Sequence, residues 1–158
     1  MAGLCSKGAH VLAAWFGCGY FPAARGTWAS AVALLIAALL ERYAHWQPWH
    51  FGVLTAVLLG PGIWAAGVEA HRLGRTDPPQ VVIDEVLGQW LTLAGARVLN
   101  WKSLLAAFLL FRILDILKPA PARRLESLPG GLGIVADDLA AAVYGALVLL
   151  AAGWFNLY

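Results

Sequence analysis

Charge is what this sequence has least of. Only 13% of its 158 residues are Asp, Glu, Lys or Arg, about half of the roughly 25% that an ordinary soluble domain carries. So little polar surface does not suit a soluble monomer. The net charge is +2, with no basic tract, so no nucleic-acid partner is expected, because such binding rests on neutralising phosphates with Lys and Arg. Cysteine is almost missing. Cys5 and Cys18 are too few for the disulfide framework of a secreted mini-protein, and neither has a nearby His or Asp to make it a nucleophile. His10, His45, His50 and His71 show no metal-binding spacing and read as solvent or interface residues. The chain also lacks a glycine-rich phosphate loop ending in Lys-Ser or Lys-Thr, a His-Glu-x-x-His helix and the Asp-x-Asp of phospho-aspartyl phosphatases.

What is present is apolar: 61% hydrophobic residues, 8 Trp and a mean hydropathy of +0.71. The apolar runs are Thr27 to Leu40, Phe51 to Ala70, Val81 to Val98, Leu104 to Leu117 and Leu139 to Tyr158. They are continuous, without the period-two alternation of a barrel, and backbone groups in lipid must be satisfied within the segment, so they read as helices. A spanning helix takes about 20 residues. The expectation is an all-α polytopic membrane bundle with about four to five embedded helices, residues 1–158 forming a single domain. The first and fourth runs are short and need thinning of the bilayer or burial behind other helices. Gly60-Pro61-Gly62 predicts a kink in the second run. Lys7 followed by Ala9 to Gly19 has the outline of a signal peptide, but Trp15, Phe16 and Gly17 before Cys18 are wrong for a processing site, and the segment is not read as cleaved.

If each run crosses once, Lys7, Arg25, Arg72, Arg75, Lys118, Arg123 and Arg124 share one side, against Arg42, Arg97 and Lys102 on the other. The richer side is expected to be cytoplasmic. Trp46, Trp49, Trp101, Trp154 and Tyr158 then stand at the opposite interface. Of the nine acids only Glu41 falls on that outer side, which points to an inward-facing acidic site. Asp84 and Glu85 open the third run, where Glu85, Gln89 and Thr92 make a polar stripe at helical spacing. Ionised groups in such segments usually mark function. Arg112 and Asp115 share a helix face, Lys118 follows a turn later, and Asp137-Asp138 precedes the last run. An ion-pair network is one reading. A divalent-metal and phosphate site is the other, carboxylate oxygens suiting Mg²⁺ and arginine offering a fork for phosphate. In Arg25-Gly26-Thr27-Trp28-Ala29-Ser30 the free N–H groups and the Thr27 and Ser30 hydroxyls could hold an anion, or Thr27 could be a plain N-cap. Gly130-Gly131-Leu132-Gly133 could let backbone approach a ligand or be a simple loop.

Four motifs together, GTWAS (Gly26 to Ser30), DPPQVVIDEVLGQWLTL (Asp77 to Leu93), FRILDILKPAP (Phe111 to Pro121) and GGLGIVADD (Gly130 to Asp138), resemble the bacterial phosphatidylglycerophosphatase A family from about residue 15 onward. The resemblance implies an inner-membrane, Mg²⁺-dependent lipid phosphatase, its site facing the cytoplasm, that takes the terminal phosphate from phosphatidylglycerophosphate and leaves phosphatidylglycerol and inorganic phosphate. Carried onto this chain, catalytic roles fall on Asp84, Glu85, Asp115 and Asp138, phosphate binding on Thr27, Arg112 and Lys118, and metal binding on Asp84, Glu85, Asp137 and Asp138. Which carboxylate activates water stays open, as does direct water attack against an aspartyl-phosphate. Arg25 and Ala29 depart from the Pro-Gly-Thr-Trp-Gly-Ser common in the family. A small ion or solute transporter is the alternative, because intramembrane acids also build cation paths, but it expects acids spread through the membrane depth. A non-catalytic assembly subunit is a third reading.

Overall fold

Runs this apolar can satisfy their backbone groups without water only by coiling on themselves, and the computed structural model, which describes residues 2–158 and their side chains from Lys7 onward, has helices as its regular elements throughout. The side chain of Cys5 lies outside the described residues. The elements are α1 (Ala2–Ala13), a 3₁₀ segment (Trp15–Tyr20), α2 (Arg25–Ala44), α3 (Pro48–Leu73), α4 (Ile83–Ala94), α5 (Trp101–Leu117), the short α6 (Ala122–Leu125) and α7 (Gly131–Trp154).

The bundle is arranged around α4. Thr55 on α3 donates to Leu87 O at 3.4 Å, Trp90 Nε1 donates to Ala33 O of α2 at 3.0 Å, and Thr92 donates to Ala142 O of α7 at 3.4 Å. Gly88 takes the ring of Phe111 from α5 so closely that a Cβ there would collide with it. With 12 residues α4 is about 18 Å long, short of a bilayer core of about 30 Å. It is embedded by being enclosed. Among the described helices α2, α3 and α7 are long and apolar enough to cross a membrane. The expectation of four to five embedded helices therefore resolves into three crossing helices, with the short α4 at their centre and the 17-residue α5 beside them.

The outward surface is that of a protein in lipid. Leu35, Val57, Ile116 and Leu147 are between 57% and 72% exposed, while the interior is lined by small residues, among them Ala29, Ala33, Ala37, Ala65, Ala66, Ala107, Ala141 and Ala142, all at 0% exposure. Small side chains let helix backbones approach where lipid offers no hydrophobic drive for association.

Two boundaries differ from the sequence reading, at α1 and at the start of α7. α1 is an additional helix, packed on α3 and tied to the start of α4 through Val82 N donating to Ala13 O at 2.9 Å. Pro61 sits inside an unbroken α3 on its exposed side, where the single missing N–H does not end the helix. α7 begins at Gly131, not near Leu139, so Asp137 and Asp138 lie within the helix. The cause is packing. Gly130 turns at φ 63°, and Gly131 lies so close to Ile63 O and Gly67 N of α3 that no side chain fits.

At one end of the bundle Asn100 caps α5, its Oδ1 accepting from Lys102 N and Ser103 N at 2.9 Å. There too Arg97 donates to Gly153 O at 3.3 Å and Tyr158 to Leu149 O at 2.8 Å. Trp49, Trp101 and Trp154 are exposed at this end, as an aromatic belt requires. The starts of α2, α4 and α7 and the ends of α3 and α5 meet at the other end.

Candidate active site

Those five helix ends enclose a cleft of about 1350 Å³. Asp84 and Glu85 sit in the first turn of α4, where the helix dipole favours negative charge. α2 can come this near only because residue 26 is glycine: a Cβ on Gly26 would collide with the Glu85 carboxylate. From α7, Asp138 completes a group in which Asp84, Glu85 and Asp138 each offer a carboxylate oxygen within 4.8 Å of the others.

Buried oxygens normally have hydrogen-bond partners. Asp84 Oδ1, Glu85 Oε2 and Asp138 Oδ2 are buried with none. Three carboxylates converging in this way suit a hard divalent cation, which takes oxygen donors and supplies the missing compensation. The group could hold such an ion, and Asp137, the other expected ligand, is not one of the three. Asp137 instead accepts from Lys118 Nζ at 2.7 Å. Its position one residue from Asp138 turns it about 100° around α7, toward the end of α5.

Arg112 and Asp115 form the expected pair along α5, Nη1 standing 2.8 Å from Asp115 Oδ2. The contact is close but poorly aligned, and Arg112 Nε and Nη1 are buried without a hydrogen-bond acceptor. An ion-pair role alone would leave these donors unused. Lys118 ends α5 in a left-handed turn with φ 43°, which aims its ammonium back at Asp137 and, at 3.4 Å, Glu126. Partial burial alone would lower the Lys118 pKa, but the two carboxylates more than reverse this and raise it above the ordinary lysine value. The stabilisation from this pairing is therefore complete below that ordinary value and fades only as pH climbs through the raised one.

Asp84, Glu85, Arg112, Asp115, Lys118, Asp137 and Asp138 all line the one cleft, although they come from three helices. Thr27 does not. α2 starts at Arg25, with Ala24 as a left-handed N-cap, so Thr27 is the third helical residue and not the cap, and the cleft wall is made by Ala24, Arg25 and Gly26. Other groups carried little signal. Glu126 gave no sign of being the second acid on Lys118. Arg75 counted only as a basic loop residue, and its place in the wall follows from α3 ending at Gly74. His10 is partly exposed but not idle: its Nδ1 is 2.9 Å from Oε1 of the fully buried Glu69, which also takes two hydrogen bonds from Arg72.

The family model described as "PgpA: Phosphatidylglycerophosphatase A" matches residues 11–153. A phosphatidylglycerophosphatase A of Haemophilus influenzae is 36% identical over 149 residues, covering 94% of this chain and 90% of the relative. A Bacteroides thetaiotaomicron protein named as a candidate phosphatidylinositol-3-phosphatase is 35% identical, covering 88% of this chain and 89% of its own. A phosphatidylglycerophosphatase A of Escherichia coli is 34% identical, covering 89% and 80%. No solved structure matches.

Proposed function

Because the chain belongs to the phosphatidylglycerophosphatase A family, a group of phosphoric monoester hydrolases, we propose that it hydrolyses phosphatidylglycerophosphate to phosphatidylglycerol and inorganic phosphate. The single observation that carries this reading is the meeting of three unpartnered carboxylates with an arginine whose donors are also unpartnered, at one end of a lipid-facing bundle. A lipid phosphomonoester needs that arrangement, since its acyl chains remain in the bilayer while its phosphate reaches the helix ends. The basic loops around the cleft favour its opening to the cytoplasm, in a bacterial inner membrane.

Asp84, Glu85 and Asp138 would hold Mg²⁺, which would offset phosphate charge and acidify a water. The guanidinium of Arg112 grips the equatorial phosphate oxygens and stabilises the charge that grows there during transfer. Asp115 fixes the guanidinium from one side, and Lys118, held by Asp137, adds positive charge at the mouth of α5. A carboxylate of the acidic group takes the proton of the attacking water. The transporter reading expects acids through the membrane depth, and the cleft gathers them at one end.

Phosphate release from phosphatidylglycerophosphate by the purified protein in detergent tests the proposal. Turnover should need a divalent ion, and Asp84→Asn and Asp138→Asn should each lose several kcal/mol of transition-state stabilisation, about tenfold in rate per 1.36 kcal/mol, with the fold kept. Near-normal rates in both variants would remove the acidic group from the chemistry.

A further inference from the structure

The cleft has more positive charge than the transferred phosphate uses. Of the arginines and lysine that line it, Arg112 and Lys118 are paired with carboxylates. Arg25 and Arg75 also line it and have no carboxylate partner among the described residues. Arg25 is half-buried next to Gly26, at the edge of the acidic group, and its Nε donates to Phe21 O at 3.1 Å. That bond fixes the side chain and spends one of five donors. Arg75 is exposed in the cleft wall, just past the left-handed Gly74 that ends α3.

Exposure separates these groups. Arg112, 18% exposed, and Arg25 are partly buried, and Arg75 is exposed, the outermost of the three. The lipid of the proposed reaction carries two phosphates in the same order: a terminal monoester that must reach the acidic group, and a phosphodiester, one glycerol away, that stays nearer the acyl chains. Phosphatidylinositol 3-phosphate, the lipid in the name of one relative, has the same plan, with inositol between diester and monoester.

We propose that Arg75 and Arg25 form a second anion subsite, which takes the phosphodiester of the lipid while Arg112 and the acidic group take the monoester. The subsite rests on the function proposed above. It selects lipids that carry a diester and a monoester across a polyol. The same chemistry, a phosphodiester monoanion, is also offered by bulk anionic lipid around the protein, so the test is run in neutral detergent with divalent ion in excess.

In that medium Arg75→Gln and Arg25→Gln should each raise KM for phosphatidylglycerophosphate about tenfold, the weight of one charge-assisted hydrogen bond, with kcat within about twofold. Phosphatidylglycerol, which has the diester alone, should lose potency as an inhibitor in parallel, while inhibition by inorganic phosphate stays as in the wild type. Arg75→Lys should recover part of the loss. Four results overturn the subsite: an unchanged KM in neutral detergent with an effect only when anionic lipid is added; an equal loss of both inhibitors; a fall in kcat alone; or a wild-type enzyme insensitive to phosphatidylglycerol. A wild-type protein that releases no phosphate overturns the proposed function, and the subsite with it.

Discussion

Arg112 has two claims on it. Asp115 is near enough to neutralise its charge, yet the guanidinium keeps buried N–H groups with nothing to bond. Were neutralisation its whole purpose, a lysine would do as well. If its fork grips phosphate, Arg112→Lys already fails, because a point-charge ammonium cannot reproduce two parallel bonds. A loss of about 10- to 100-fold in turnover is expected, matching roughly 1.5–3 kcal/mol for a charged hydrogen bond. Lys118→Arg should cost less, since its role is to bring charge near, and the carboxylates of Asp137 and Glu126 accept either cation. The check is kcat on detergent-solubilised protein of verified fold, at saturating divalent ion. Equal, near-normal rates would return both residues to a structural role.

Among the elements, α7 depends most on a single small residue. Gly131 has Ile63 O and Gly67 N of α3 in the space a Cβ would need, and both are backbone atoms that cannot swing aside. Gly131→Ala should therefore lower stability by about 1–3 kcal/mol, the usual cost of overpacking, read as a lower thermal midpoint in detergent, and it should reduce activity by shifting Asp138. Gly8→Ala, with open space around it, is the control. This contact also shows what the sequence could not disclose. The acids and Arg112 stood out because charge is rare in such segments and because Glu85, Gln89 and Thr92, and again Arg112 and Asp115, keep helical spacing. The start of α7 did not stand out, since Gly-Gly-Leu-Gly has poor helix propensity and only the fit against α3 makes it helical. α1 was hidden likewise: its helix rests on Ala9 and Ala13 packing and on His10 meeting Glu69 across two helices. Asp137 and Asp138 are adjacent and chemically alike, so the pairing of one with Lys118 was decided by the angle between them.

The whole molecule has a chemical end and an aromatic end, and the proposed orientation puts the first in the cytoplasm. A cysteine at position 123, in a background without Cys5 and Cys18, should be protected from an impermeant thiol reagent in intact cells, while one at position 158 should react. The reverse pattern would invert the assignment. The enclosure of α4 bears on how such a protein comes into being. Asp84 and Glu85 are made before Arg112 and Asp115, and Asp138 follows only with α7, which also walls in α4 and closes the cleft. The three carboxylates of a nascent chain thus stay apart until α7 has been made and has packed against α4. α7 is the helix that completes the acidic group.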